Sequence, residues 1–277
     1  MFRTRLIVAG LFVAAAACSS ADTTTGSATD EAIITADVAA VAADGAGEDA
    51  DVLVTMDGTL SASFAGNNSG QSFFASPPGD WRPGITGCTF AGGSFTCPAV
   101  NHNGLTVTRT IMFLDAAGVS ESAYDALLTA SIHVVADIAG DRTHGRWSAT
   151  VARHRDLTIS GLAGTETNRT VNGTGSEAVT SSRVTHNDST RSYSLVGSSV
   201  VTNVVLPVRT TDGGNGWPTS GTITRTFTVT LTSGPNAGKT TTRTVTITFN
   251  GTSTVNGTVN GTPFTIDLSG HTATPRG

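Results

Sequence analysis

The chain has 277 residues, with 16 Lys and Arg against 21 Asp and Glu and a net charge of −5, a balance that argues against nucleic acid as a partner. Charged residues make up 13% of it and aromatic residues 6%, whereas about a quarter of an ordinary domain is charged. Thr, Ser, Asn and Gly fill the polar positions instead, and any core has to be packed mainly from Val, Ile, Leu and Ala.

In chain order, Arg3 and Arg5 precede an apolar run over residues 6–17, and that run ends in Ala15-Ala16-Ala17-Cys18. It is shorter than the ~20 apolar residues needed to span a bilayer and has the layout of an export signal. The small residues directly before a cysteine resemble the lipobox of bacterial lipoproteins, although the family usually carries Leu where Ala15 stands. The resemblance covers residues 1–18. It implies cleavage after Ala17, a diacylglyceryl group on Cys18, and a membrane as partner through that anchor. Ser19, where retention signals for the inner membrane place Asp, implies the outer membrane if the host has one. The mature chain would then have 277 − 17 = 260 residues and, with Arg3 and Arg5 removed, 16 − 2 = 14 basic against 21 acidic groups, net −7.

Residues 18–29 are polar and read as a flexible tether. Thr29 or Asp30 can cap a helix in which Ile33, Ile34, Val38 and Val41 recur at helical spacing, so an amphipathic helix is expected over 30–43. Its apolar stripe would plug or border the concave side of whatever follows. The segment from Asp44 to Asp51 is acidic and contains Gly45 and Gly47. It lacks the ligand spacing of a calcium loop and reads as a solvated turn.

Beyond that, apolar residues alternate with period two. Strands are expected near 52–65, 71–76, 105–113, 124–138, 146–160, 166–182, 190–206 and 223–231. Arg109 and Arg225 occupy apolar-parity positions in theirs. Cys88 and Cys97 flank Gly92-Gly93, a dipeptide suited to a two-residue hairpin turn, which sets Phe90 opposite Phe95 and Cys88 opposite Cys97. Outside the cytoplasm these cysteines are expected to form a disulfide. Near the C-terminus, odd parity from Val245 to Val259 reads as one long strand. Asn260-Gly261 then makes a type I′ turn that pairs Gly257 with Phe264 and Val255 with Ile266, Phe264 covering the glycine. Residues 271–277 read as a tail.

Chemistry is sparse. His154-Arg155-Asp156 imitates a kinase catalytic loop without its companions, and no nucleophile elbow, zinc-protease helix or cofactor fingerprint is present, so no cofactor is expected. Pairing strands 124–138 and 146–156 around Gly140 to Gly145, with Ile138 opposite Trp147, gathers His133, His154 and Asp156 on one polar face as a weak metal or acid–base candidate, with His144 in the turn. Arg142, Arg146, Arg153 and Arg155 form a basic patch nearby, suited to anionic lipid or polysaccharide or merely solvated.

The expected fold is all-β: an antiparallel meander of long strands, as a curved sheet, an open or closed barrel or a sandwich, with one N-terminal helix. A single β domain over 30–270 is expected. The expected function is that of an exported, lipid-anchored, non-enzymatic binding or structural module. Envelope protein, polysaccharide or a hydrophobic ligand are its expected partners, the last if the barrel is open. An enzyme using the His133 and His154 face ranks last.

Overall fold

The computed structural model describes residues 31–47, 49, 87–102, 104–125, 127–144, 146–162, 166–184, 190–207, 217–234 and 236–276. The expected signal, lipidation site and tether, and the strands expected near 52–65 and 71–76, lie outside these residues. The chain divides at Ile34 into a short N-terminal unit, of which residues 31–34 are described and helical, and the unit Thr35–Gly277.

Within the larger unit the described residues after the helix build thirteen strands: β1 (Thr89–Ala91), β2 (Ser94–His102), β3 (Leu105–Asp115), β4 (Ser120–Glu121), β5 (Thr129–His144), β6 (Trp147–Ser160), β7 (Asn168–Val184), β8 (Thr190–Pro207), β9 (Ser220–Leu231), β10 (Thr240–Thr248), β11 (Thr254–Val259), β12 (Thr262–Asp267) and β13 (Thr272–Pro275). They form one antiparallel sheet in sequence order, with β4 pairing off the path on β3. The fold is therefore all-β with one N-terminal helix, as a meander of long strands. Among the described residues no ladder joins β1 to β13, so the sheet is not a closed barrel.

Two turns follow their local chemistry. Gly92 and Gly93 take φ of 59° and 84°, and the hairpin pairs Phe90 with Phe95 and Thr89 with Thr96. Cys88 and Cys97 are bonded across it, and the two phenylalanine rings lie 4.9 Å apart. A loop this short should stabilise the fold by about 2–3 kcal/mol on the chain-entropy argument. Non-reducing peptide mass spectrometry should recover the two cysteines joined; free thiols would contradict the register. Asn260 and Gly261, with φ of 47° and 84°, make the second turn and set Gly257 opposite Phe264 and Val255 opposite Ile266. The space over Gly257 is nevertheless taken by Ile266, whose Cδ1 lies 2.5 Å from where a Cβ would stand, rather than by Phe264.

Three expectations are corrected. The stretch 245–259 is not one strand, because β10 and β11 pair antiparallel around residues 249–253, with Ile247 opposite Gly257 and Val245 opposite Val259. Asn250 nucleates that turn by accepting hydrogen bonds from the Thr252 amide at 3.1 Å and hydroxyl at 2.9 Å. The strand expected from 124 begins only at Thr129: Leu127 and Leu128 are 82% and 60% exposed, and the Tyr124 hydroxyl donates to the Leu162 carbonyl at 3.1 Å. The supposed tail contains β13, which pairs with β12 through Ile266 opposite Ala273.

Helical backbone runs on through residue 47, with residue 49 helical too, well past the expected end at 43. The helix is not an amphipathic stripe laid on a surface. Val38, Ala39, Val41, Ala42, Ala43 and Ala46 are all at most 2% exposed, a band of roughly 200° round the cylinder, and Ile33, Ala36 and Ala40 on the remaining side are half-buried. The sheet achieves this by curling. Asp44 touches Arg142 of β5, Arg153 of β6 and His271 of the β12–β13 turn. In a flat sheet β5 and β12 would stand seven strands apart, roughly 34 Å at the usual spacing. Both reach one carboxylate because the sheet wraps round the helix, and a cylinder of Ala, Val and Gly is slender enough to be enclosed.

Candidate functional site

Inside this wrap the sheet presents arginines where parity predicts apolar side chains. Arg109, Arg153, Arg155, Arg169, Arg225 and Arg243 are buried on the inner face, and Glu177 is the buried carboxylate that the described strands add to them. Strand register explains the grouping. Arg155 stands opposite Gly175 on β7, Gly175 opposite Ser199 on β8, and Ser199 opposite Arg225 on β9, while Arg153 stands opposite Glu177. The small residues between the long ones let the guanidinium groups converge.

Glu177 is their hub. Its carboxylate accepts from Arg225 Nη1 at 2.7 and 2.9 Å and from Arg153 Nε at 3.2 Å, with Arg155 Nη2 at 3.7 Å. The helix supplies the remaining anions. Asp49 accepts from Arg155 Nε at 2.8 Å and from Arg225 Nη2, and Asp44 accepts from Arg153 Nη2 at 3.3 Å. One helical stretch earlier, Asp37 accepts from the Tyr193 hydroxyl and from Arg183 Nη1, each at 2.7 Å. Gly45 permits the closest approach: a Cβ there would lie 2.6 Å from Arg225 Nη1.

Charge balance follows the geometry. Burial pushes the Glu177 carboxyl up, but the three guanidinium groups around it outweigh this and hold it down at about 2. Burial likewise opposes ionisation of Asp44, and His271, Arg153 and Arg142 together hold its pKa below the usual value. Arg225 is fully buried yet held more basic than usual by Glu177 and Asp49. Arg153, equally buried and facing Arg225 and Arg155, is made less basic. Burial and then the Asp37 carboxylate raise the Tyr193 phenol. Every carboxylate here is committed to cations, so the cluster works as a lock between helix and sheet rather than as an acid–base centre.

The basic patch and the acidic turn read from sequence are therefore partners of each other. Asp44 and Asp49 are buried in the helix rather than solvated, and Arg153 and Arg155 point inward, whereas Arg146 is exposed. Their signal in the sequence was available: each buried arginine shares the parity of the apolar residues beside it.

The histidine constellation is rearranged as well. The β5–β6 hairpin closes on His144 opposite Trp147 and sets Ile138 opposite Arg153, not opposite Trp147 as expected. His133 Nε2 lies 2.6 Å from Asp156 Oδ1, and His154 Nδ1 lies 2.7 Å from Asp137 Oδ1. His133, His154 and Asp156 do share the outer face, but each imidazole is held by its own carboxylate. Among the described residues no three His, Cys, Asp or Glu side chains are grouped to hold a metal ion.

Compared with protein families, curated proteins and solved structures, the chain matches none of them. Function has to be argued from its own residues.

Proposed function

We propose that this is an exported envelope lipoprotein, anchored through acylated Cys18, whose wrapped β domain is a non-enzymatic binding or structural module at the membrane surface. The carrying observation is the N-terminal order of Arg3 and Arg5, a short apolar run, and Ala15-Ala16-Ala17 before Cys18. Several acyl chains hold a protein firmly, since each buried methylene contributes about 0.8 kcal/mol. Ser19 assigns the outer membrane where the host has one. Two further features support a module that binds or scaffolds. Its ionic cluster is spent on holding the helix, and its outer-face histidines are each closed off by an aspartate.

Cys18→Ala should leave a precursor that is neither lipidated nor processed, and globomycin treatment of the wild type should leave an unprocessed precursor that still carries the lipid. Fractionation with metabolic labelling by a clickable fatty acid checks this. Mature-length Cys18→Ala protein that stays in the membrane fraction would overturn the anchor.

A further inference from the structure

Arg109 stands apart from the lock. It is 6% exposed, and its Nε and Nη1 have no hydrogen-bond partner among the described residues. The flanking inward side chains are Cys97 on β2, Ala136 on β5, and Val107 and Ile111 along β3, none of which carries an acceptor for a cation. The buried carboxylates Asp37, Asp44, Asp49 and Glu177 are engaged by other groups. A guanidinium in such surroundings lacks the anion that burial demands.

The neighbourhood also indicates what would carry that anion. In a chain with 6% aromatic residues, four form one row that begins one inward position from Arg109: ring centroids run Phe90 to Phe95 at 4.9 Å, Phe95 to Phe113 at 5.5 Å, and Phe113 to Tyr124 at 5.7 Å. Phe95 faces Ile111, one inward position along from Arg109. Phe90 is 40% exposed on β1, the end strand of the sheet among the described residues. Among the described residues an apolar, partly aromatic row therefore runs from the β1 end of the sheet to a planar cation without a counter-ion.

We propose that this is a binding site for a monocarboxylate amphiphile of the fatty-acid class. Its carboxylate takes the free face of the Arg109 guanidinium, and its apolar body lies along Ile111, Phe95 and Phe113 toward the β1 end of the sheet. The planar fork of arginine matches a carboxylate bidentately, and burial strengthens the pairing. Desolvation makes Arg109 less basic than a free arginine, as expected for a cation whose counter-ion is absent, whereas Arg225, surrounded by carboxylates, moves the other way. The inference deepens the reading of the domain as a binding module and does not depend on the anchor.

Calorimetry and native mass spectrometry on the mature chain 18–277 carrying Cys18→Ser, with dodecanoate, dodecanol and acetate as probes, test it. Dodecanoate should bind one to one, more tightly than dodecanol and far more tightly than acetate. Arg109→Met should weaken dodecanoate at least about tenfold and leave dodecanol nearly unchanged, with Arg109→Lys in between. Arg109→Met should melt no lower than the parent, because an uncompensated buried charge has been removed. Equal dodecanoate affinity in parent and Arg109→Met would overturn the proposal. So would failure of dodecanoate to bind the parent, or acetate binding as well as dodecanoate. A marked loss of stability in Arg109→Met would overturn it too, by showing that the chain already supplies the anion. None of these outcomes bears on the anchor, which fractionation of the Cys18→Ala protein decides separately.

Discussion

Glu177→Gln should be among the most damaging single substitutions in the protein, lowering stability by about 3–5 kcal/mol, the usual cost of removing one partner from a buried ionic group. The side chain it changes is completely buried and shared by Arg153, Arg155 and Arg225. Glutamine keeps the shape but removes the charge, leaving three guanidinium groups with only the helix carboxylates Asp44 and Asp49. In a domain of this size that loss corresponds to a fall in melting temperature on the order of 10 °C, measurable by calorimetry. The substitution should also change the response to acid. Glu177 is held at about 2 in the fold against 4.5 in a free carboxyl, so its contribution is fully present above pH 4.5 and is lost as pH falls toward 2. That span corresponds to about 3 kcal/mol. Between pH 5 and 2, Glu177→Gln should therefore lose stability less steeply than the parent. A variant as stable as the parent, with the same acid limb, would show that Glu177 is not the hub of the lock.

Val38→Asp combined with Val41→Asp should undock the helix. Each valine is 2% exposed, and the helix around them is enclosed by the sheet. A carboxylate there replaces buried apolar surface and adds charge to a helix that already carries Asp37, Asp44 and Asp49, so each substitution should cost roughly 3 kcal/mol or more in lost transfer energy and buried charge. The doubly substituted chain has two ways out: unfolding, or expulsion of the helix with its aspartates, which strips Arg153, Arg155 and Arg225 of most of their counter-charge. Either route lowers the melting temperature well below that of the parent and exposes apolar inner face to the dye ANS. Parent-like melting without dye binding would contradict a helix enclosed by the sheet.

Much of this architecture is legible in the residues themselves. Period-two alternation places the long strands β3 and β5 to β9, while β4, β13 and the break between β10 and β11 escape it. Gly92-Gly93 and Asn260-Gly261 set two hairpin registers, because few other dipeptides take positive φ twice in succession. The disulfide follows from the first of these turns. Parity has a specific blindness, however. A side-chain period of two is unchanged when the register slips by an even number of residues, which is how the β5–β6 hairpin came to pair His144 with Trp147 while still burying Ile138, Val134 and Ile132. Nor can parity tell a continuing strand from two strands joined by an odd-numbered loop: Ile247 facing Gly257 preserves the alternation as well as a straight run would.

Tertiary structure alone decided which charges pair. Gly45 and Gly47 are poor helix formers, and Asp44 and Asp49 sit toward the C-terminal end of the helix, where the dipole disfavours anions, so every local rule ends the helix early. The helix continues because Arg153, Arg155 and Arg225, each more than a hundred residues away, compensate those carboxylates, and because the glycines leave room for Arg225 and His271 to approach. Pairings across such separations leave no local pattern. An acidic segment and an arginine at an apolar position each look like an exception in the sequence, and the curl of the sheet makes them counterparts.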